Sequence, residues 1–127
     1  MSLVLADTSV WIAHFRKANP TLSHLLAMDR VLCHPLVLLE IACGTPPSPR
    51  AATLGNLRAL RQAVRASTNE MLTMIESERL FDIGCGAVDI ALLASVRLTP
   101  GAQLWTLDKK LGATATRLNV AFDGALH

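Results

Sequence analysis

Apolar residues along this chain fall into two kinds of stretch, runs too short to make a helix and longer ones with helical spacing. Leu3–Ala6 and Val31–Cys33 are of the first kind and read as strands buried on both faces of a parallel sheet. Gln103–Thr106 and Val120–Phe122 read as further short strands. Between them the helical pattern predicts Val10–Arg16 behind the caps Thr8 and Ser9, Thr21–Met28 behind Asn19-Pro20, and Leu36–Cys43 between Pro35 and Gly44. It continues with an amphipathic helix over Arg50–Ala66, whose stripe is Leu57, Leu60 and Val64. A capping box, Ser67-Thr68-Asn69-Glu70, starts the next helix, with Met71, Met74 and Ile75 as core positions. Ala87–Leu98 is apolar on nearly every side, and Lys109–Leu118 is the last helix. Thr45–Pro49 and Phe81–Gly86 read as loops, and Thr99-Pro100-Gly101 turns the chain. Alternating strands and helices predict an α/β domain with a mostly parallel sheet of four to five short strands and helices on both faces.

Composition narrows this picture. At 127 residues, 51% of them hydrophobic, the chain has the length and the apolar content for one domain with a substantial core, taken as 1–127. No apolar run is long enough to span a bilayer, and MSLVLADTSVWI lacks the basic start of a secretory leader. Cys33, Cys43 and Cys85 are odd in number and without C-x-x-C spacing, which predicts free thiols in a reducing cytoplasm. A net charge of +2 is too small to point to a nucleic-acid partner and does not exclude one, since local patches matter more than the sum.

Four acids then draw attention. Asp7 ends the first strand, Glu40 is the only charged residue between His34 and Arg50, Asp89 lies in the opening turn of an apolar helix, and Asp108 follows the last full strand. Asp89 shares a helix face with Leu92, Leu93 and Val96, so it is expected to point towards the core, and Glu40 is expected to be a second buried acid. A parallel sheet gathers such positions at the carboxyl ends of its strands. Several carboxylates at one place do not all stay ionised without a cation, and oxygen-only ligands suit Mg2+ or Mn2+. Such an ion activates water and holds phosphate oxygens, which points to metal-dependent cleavage of a phosphodiester. Each acid also has a plainer role. Asp7, Asp89 and Asp108 are suitable helix caps, and Glu40 could pair with Arg16, Arg30 or Arg50.

DTSVWI at 7–12, the lone Glu40 in LLEIACG, DIALLAS at 89–95 and LWTLDKKL at 104–111 resemble the PIN-domain ribonucleases, and among them the VapC-type toxins of bacterial toxin–antitoxin pairs. The likeness runs from Leu3 to about Val120. It implies a PIN-like α/β/α sandwich and a Mg2+- or Mn2+-dependent endoribonuclease. It further implies a homodimer that a small antitoxin inhibits by packing over the acidic groove. Carried over by position, Asp7 and Asp89 match the acids that hold the metal most directly, with Glu40 and Asp108 completing the site. Ser9 and Thr106 match hydroxyls beside them. Some members carry another acid where this chain has Lys110, which puts a second tightly bound metal in question.

Other features are weaker. Lys109 and Lys110 beside Asp108 are the better candidates for phosphate contact, ahead of Arg16 and Lys17. Arg58, Arg61 and Arg65 form a basic stripe on the expected helix that serves RNA, an antitoxin or only solvent. Trp11 and Trp105 read as core, and the chain has no tyrosine, which argues against a passive single-strand binder that stacks bases. Gly84-Cys85-Gly86 lacks the third glycine of a dinucleotide fingerprint, and Asp89 in its place would repel a pyrophosphate. His14, His24 and His34 do not have zinc-site spacing. The alternatives to a toxin are a PIN-like regulator without catalysis and a nuclease of RNA maturation or decay.

Overall fold

The computed structural model describes residues 2–124. Four parallel strands, β1 (Leu3–Ala6), β2 (Val31–Cys33), β3 (Arg61–Gln62) and β4 (Ala102–Trp105), make one sheet in the order β3-β2-β1-β4. Val4 pairs with Val31 on one side and Gln103 on the other, so β1 is central. Its Val4, Leu5 and Ala6 are fully buried, as a strand covered on both faces requires.

Helices α1 (Thr8–Arg16) and α2 (Pro20–Ala27) link β1 to β2. Helices α3 (Pro35–Cys43) and α4 (Arg50–Arg58) link β2 to β3. Helices α5 (Thr68–Ser77) and α6 (Ala87–Leu98) return the chain to β4, and α7 (Lys109–Arg117) follows it. The first two crossovers step one way from β1 and the third steps the other way. Right-handed connections running in opposite directions put their helices on opposite faces. Accordingly α1 packs on α3 and α3 on α4, while α5 packs on α6. This is the expected α/β/α sandwich.

Ile90–Val96 of α6 is buried at seven consecutive positions, so the helix is enclosed on all sides, in line with its apolar sequence. The capping box at α5 forms, with the Glu70 N–H donating to Ser67 Oγ at 3.0 Å and the Ser67 N–H to Glu70 Oε1 at 2.8 Å. Trp11 and Trp105 are core residues, and all three cysteines are free. Among the described residues no helix is long and apolar enough to cross a membrane.

Two expectations are corrected. The helix over Arg50–Ala66 stops at Arg58, and Arg61–Gln62 becomes β3 on the free edge of β2, with the Ala63 N–H donating to Cys33 O at 3.0 Å. Gly55 and Asn56 weaken a helix from within, and the unpaired edge of β2 offers the chain hydrogen bonds in exchange. Arg58, Arg61 and Arg65 therefore do not share a helix face. Arg61 instead pairs with Asp29 at 3.0 Å. Val120–Phe122 reduces to an isolated parallel bridge between Ala121 and Leu104, held by hydrogen bonds from Leu104 N to Val120 O and from Phe122 N to Leu104 O.

Candidate active site

The sheet order reverses direction between β1 and β4, and ligands of open parallel sheets bind at the carboxyl ends of strands beside such a switch point. Ala6 and Trp105 are register partners, and the Asp7 N–H donates to Trp105 O at 3.0 Å. The residues that leave the two strands, Asp7 and Thr106, are therefore neighbours although 99 positions apart.

Asp7 is 7% exposed and fully engaged. Its Oδ1 caps α1 by accepting from the Val10 N–H at 3.2 Å and takes the Ser9 hydroxyl at 2.5 Å. Its Oδ2 accepts from the Thr106 hydroxyl. Both hydroxyls are themselves fixed by main-chain donors. Ser9 Oγ accepts from the Leu107 N–H and Thr106 Oγ1 from the Asp108 N–H, each at 3.0 Å. Two side chains thus tie the loop after β4 to the carboxylate after β1. The side-chain oxygens and the turn after β4 leave the buried carboxylate little freedom to rotate.

Asp108 is exposed and caps α7, its Oδ1 accepting from the Leu111 N–H at 2.8 Å. The cap role and a place beside Asp7 are compatible, since each carboxylate has two oxygens. Asp89 is half-buried, with Oδ2 accepting from the Gly86 N–H at 3.2 Å. Its position is less enclosed than its place among Leu92, Leu93 and Val96 suggested, because it lies in the first turn of α6, where the helix emerges from the core.

Glu40 departs further from expectation, because it is exposed. One side of α3 is uncovered, as Leu39 at 57% exposure also shows, so an apolar sequence did not mean a helix buried all round. Nor does Glu40 pair with an arginine. Arg30 is buried against Ser2, its Nε donating to Ser2 O at 2.7 Å, and Arg50 donates to the carbonyls of Ala42 and Gly44. The partner of Glu40 is Thr8, whose hydroxyl donates to Oε1 at 2.5 Å. Thr8 was legible only as a cap, and its link to Glu40 depends on α1 packing on α3, which no local pattern announces.

None of the four acids is in an ion pair with a described residue. Their mutual repulsion surfaces at Asp89, whose carboxyl is pushed up by burial, then by Asp108, Asp7 and Glu40, while its bond from Gly86 opposes the shift. The acids therefore act on one another electrostatically. Their spacing is open. Among the described residues no group of three or more His, Cys, Asp or Glu stands ready to hold a metal ion. The donors, carboxylates and hydroxyls only, have the chemistry that hard divalent cations take.

Two further residues border Asp89 and Asp108. Cys85 lies 3.7 Å from Thr114 Oγ1, and its thiol is pushed up mainly by burial, with both acids adding to the effect. Lys110 packs over Gly84. Lys109 begins α7 and is exposed. His14 and His34 have other roles: His14 Nδ1 accepts from the Asn19 N–H, and His34 Nδ1 accepts from the Leu36 N–H, capping α3.

No family model matches the chain. It is 44% identical over 119 residues to "Ribonuclease VapC32" of Mycobacterium tuberculosis, in strains CDC 1551 / Oshkosh and H37Rv alike, which covers 94% of this chain and 95% of that protein. The crystal structure of PAE2754 from Pyrobaculum aerophilum shares the fold, with a TM-score of 0.53 over 93% of this chain and 90% of that one at 17% identity. The order of motifs, the sheet with its switch point and a relative of this similarity along nearly the full length agree: the chain belongs to the VapC-type PIN-domain ribonucleases.

Proposed function

We propose that this protein is a divalent-metal-dependent endoribonuclease that acts as the toxin of a toxin–antitoxin pair. The site assignment is carried by Asp89, whose carboxyl is raised first by burial and then by Asp108, Asp7 and Glu40 from three different elements, a like-charge arrangement that a bound cation would relieve. The 44% identity to a protein named a VapC ribonuclease supports RNA as substrate and a small antitoxin as partner. A homodimer completes the reading.

In this reading Asp7 and Asp89 hold Mg2+ or Mn2+ most directly, with Asp108 and Glu40 around it. The ion, when bound, activates water and offsets the charge that develops on a phosphodiester under attack. The chain's own part is to hold acids in place. Ser9 and Thr106 fix the orientation of the Asp7 carboxylate, Thr8 that of Glu40, and the Gly86 and Leu111 N–H groups anchor one oxygen each of Asp89 and Asp108. Such fixed second partners commonly set metal affinity.

A second reading, a PIN-like regulator without catalysis, is favoured by the open spacing of the acids. Cleavage of a mixed panel of small RNAs by the purified protein separates the two. Cutting that requires Mg2+ or Mn2+ and is lost with EDTA and in Asp7→Asn is expected. Metal-independent cutting, or none from protein freed of any antitoxin, would overturn the nuclease reading.

A further inference from the structure

An acid-lined site repels the phosphates of its own substrate unless a cation at its rim faces them. Lys110 lies in the first turn of α7, two residues after Asp108, and no described residue forms an ion pair with it. Its side chain is nonetheless placed. A Cβ built on Gly84 would stand 2.5 Å from Lys110 Cδ, 3.2 Å from Cε and 3.0 Å from Nζ, so the outer half of the lysine rests in the space the glycine leaves. Gly84 also has φ of +83°, a conformation that residues with a side chain rarely adopt. The backbone therefore favours glycine at this position, and the lysine occupies the space a side chain would take. The ammonium lies in the same neighbourhood as the acids, because Cys85, next in the chain to Gly84, has a thiol on which Asp89, Asp108 and Lys110 all act, the lysine opposite in sign to the acids. Lys109, of the same charge, is exposed at the start of α7.

We propose that Lys110, laid over Gly84, is the phosphate-binding residue of this site and takes a non-bridging oxygen of the RNA at the edge of the acids. The inference rests on the ribonuclease reading and adds to it the group that lets a polyanion approach four carboxylates. A lysine whose outer half is supported loses less freedom on binding than a free one, which is what makes one exposed lysine differ from another.

The test is binding of a fluorescein-labelled single-stranded RNA of mixed sequence, followed by anisotropy with Mg2+ over a series of NaCl concentrations. Asp89→Asn serves as the parent so that the RNA stays intact. Lys110→Met keeps the stem on Gly84 and removes only the charge, so the fold is preserved. It is expected to weaken binding about tenfold and to flatten the slope of log affinity against log salt by about 0.7, the loss of one phosphate contact on a single strand. Lys110→Arg should retain the slope, and Lys109→Met should change it much less. Equal effects of Lys109→Met and Lys110→Met, or no effect of Lys110→Met, would overturn the assignment whether or not the native protein cuts RNA. A parent that binds no RNA at all would overturn the nuclease reading and this inference together, and that outcome is visible before Lys110 is changed.

Discussion

Thr106→Val removes one hydroxyl and little volume, and it tests whether the link between the β1 and β4 edges has the weight assigned to it. The hydroxyl donates to Asp7 Oδ2 and accepts from the Asp108 N–H. Asp7 is 7% exposed, so its oxygen cannot readily turn to water instead. A hydrogen bond to a charged group contributes about 1.5–3 kcal/mol, and the near-isosteric valine leaves no cavity to add to that cost. Thr106 itself is half-exposed, which lets some water in, so the expected loss is about 2 kcal/mol, in the lower half of that range. For a chain of this size that corresponds to a fall in Tm of roughly 5–10 °C. Urea and thermal unfolding in EDTA at neutral pH measure it, with Thr106→Ser, which keeps the hydroxyl, as the control expected to lose much less. Ser9→Ala should be non-additive with Thr106→Val by more than about 0.5 kcal/mol, because both hydroxyls serve one carboxylate. A Thr106→Val protein as stable as the parent, or strictly additive losses in the pair, would refute the reasoning that these hydroxyls jointly hold Asp7.

Other outcomes follow from the same structure. The folded-state pKa of Asp89 is raised by burial and by Asp108, Asp7 and Glu40, so the native chain binds a proton there more tightly than the unfolded chain. Stability in EDTA should therefore fall as pH rises from the ordinary aspartate range through the raised value, and Asp89→Asn should flatten that segment and be more stable above it. A pH–stability curve unchanged by the substitution would count against the repulsion. Leu93→Ala, at a fully buried position of α6, should cost about 2–5 kcal/mol in urea unfolding, and a loss under 1 kcal/mol, far below that range, would mean the helix is less tightly packed than described. Arg61→Ala breaks only an exposed pair with Asp29 and should change stability by at most about 1 kcal/mol. Thr8→Val should alter metal affinity more than stability, since Thr8 serves an exposed Glu40, and the reverse pattern would argue that their bond is merely structural.

Parts of the structure with a purely local cause were legible in the sequence. Val31–Cys33 and Ala87–Leu98 form over the expected residues, because an apolar run bounded by breakers leaves few alternatives. Asp7 was legible as the point where a buried strand hands over to a capped helix, and it is that point. What was not legible depends on tertiary partners. Arg61–Gln62 carries no apolar signal and is exposed, and it becomes a strand only because the edge of β2 lies beside it. Glu40 was expected to be buried because its helix is apolar in sequence, but the sequence does not say which face another layer covers. The bond from Thr8 to Glu40 and the cradle of Lys110 on Gly84 likewise join residues from separate elements, with no periodicity to mark them.

Whether Asp7, Glu40, Asp89 and Asp108 act together as one divalent-cation site is read most directly by calorimetric titration of Mn2+ into the metal-free protein and into Asp7→Asn, Glu40→Gln, Asp89→Asn and Asp108→Asn. Saturable binding to the parent, weakened roughly tenfold or more in each variant while the fold is retained, is the predicted result. Mn2+ binding of equal strength in all five proteins, or none in the parent, would contradict it.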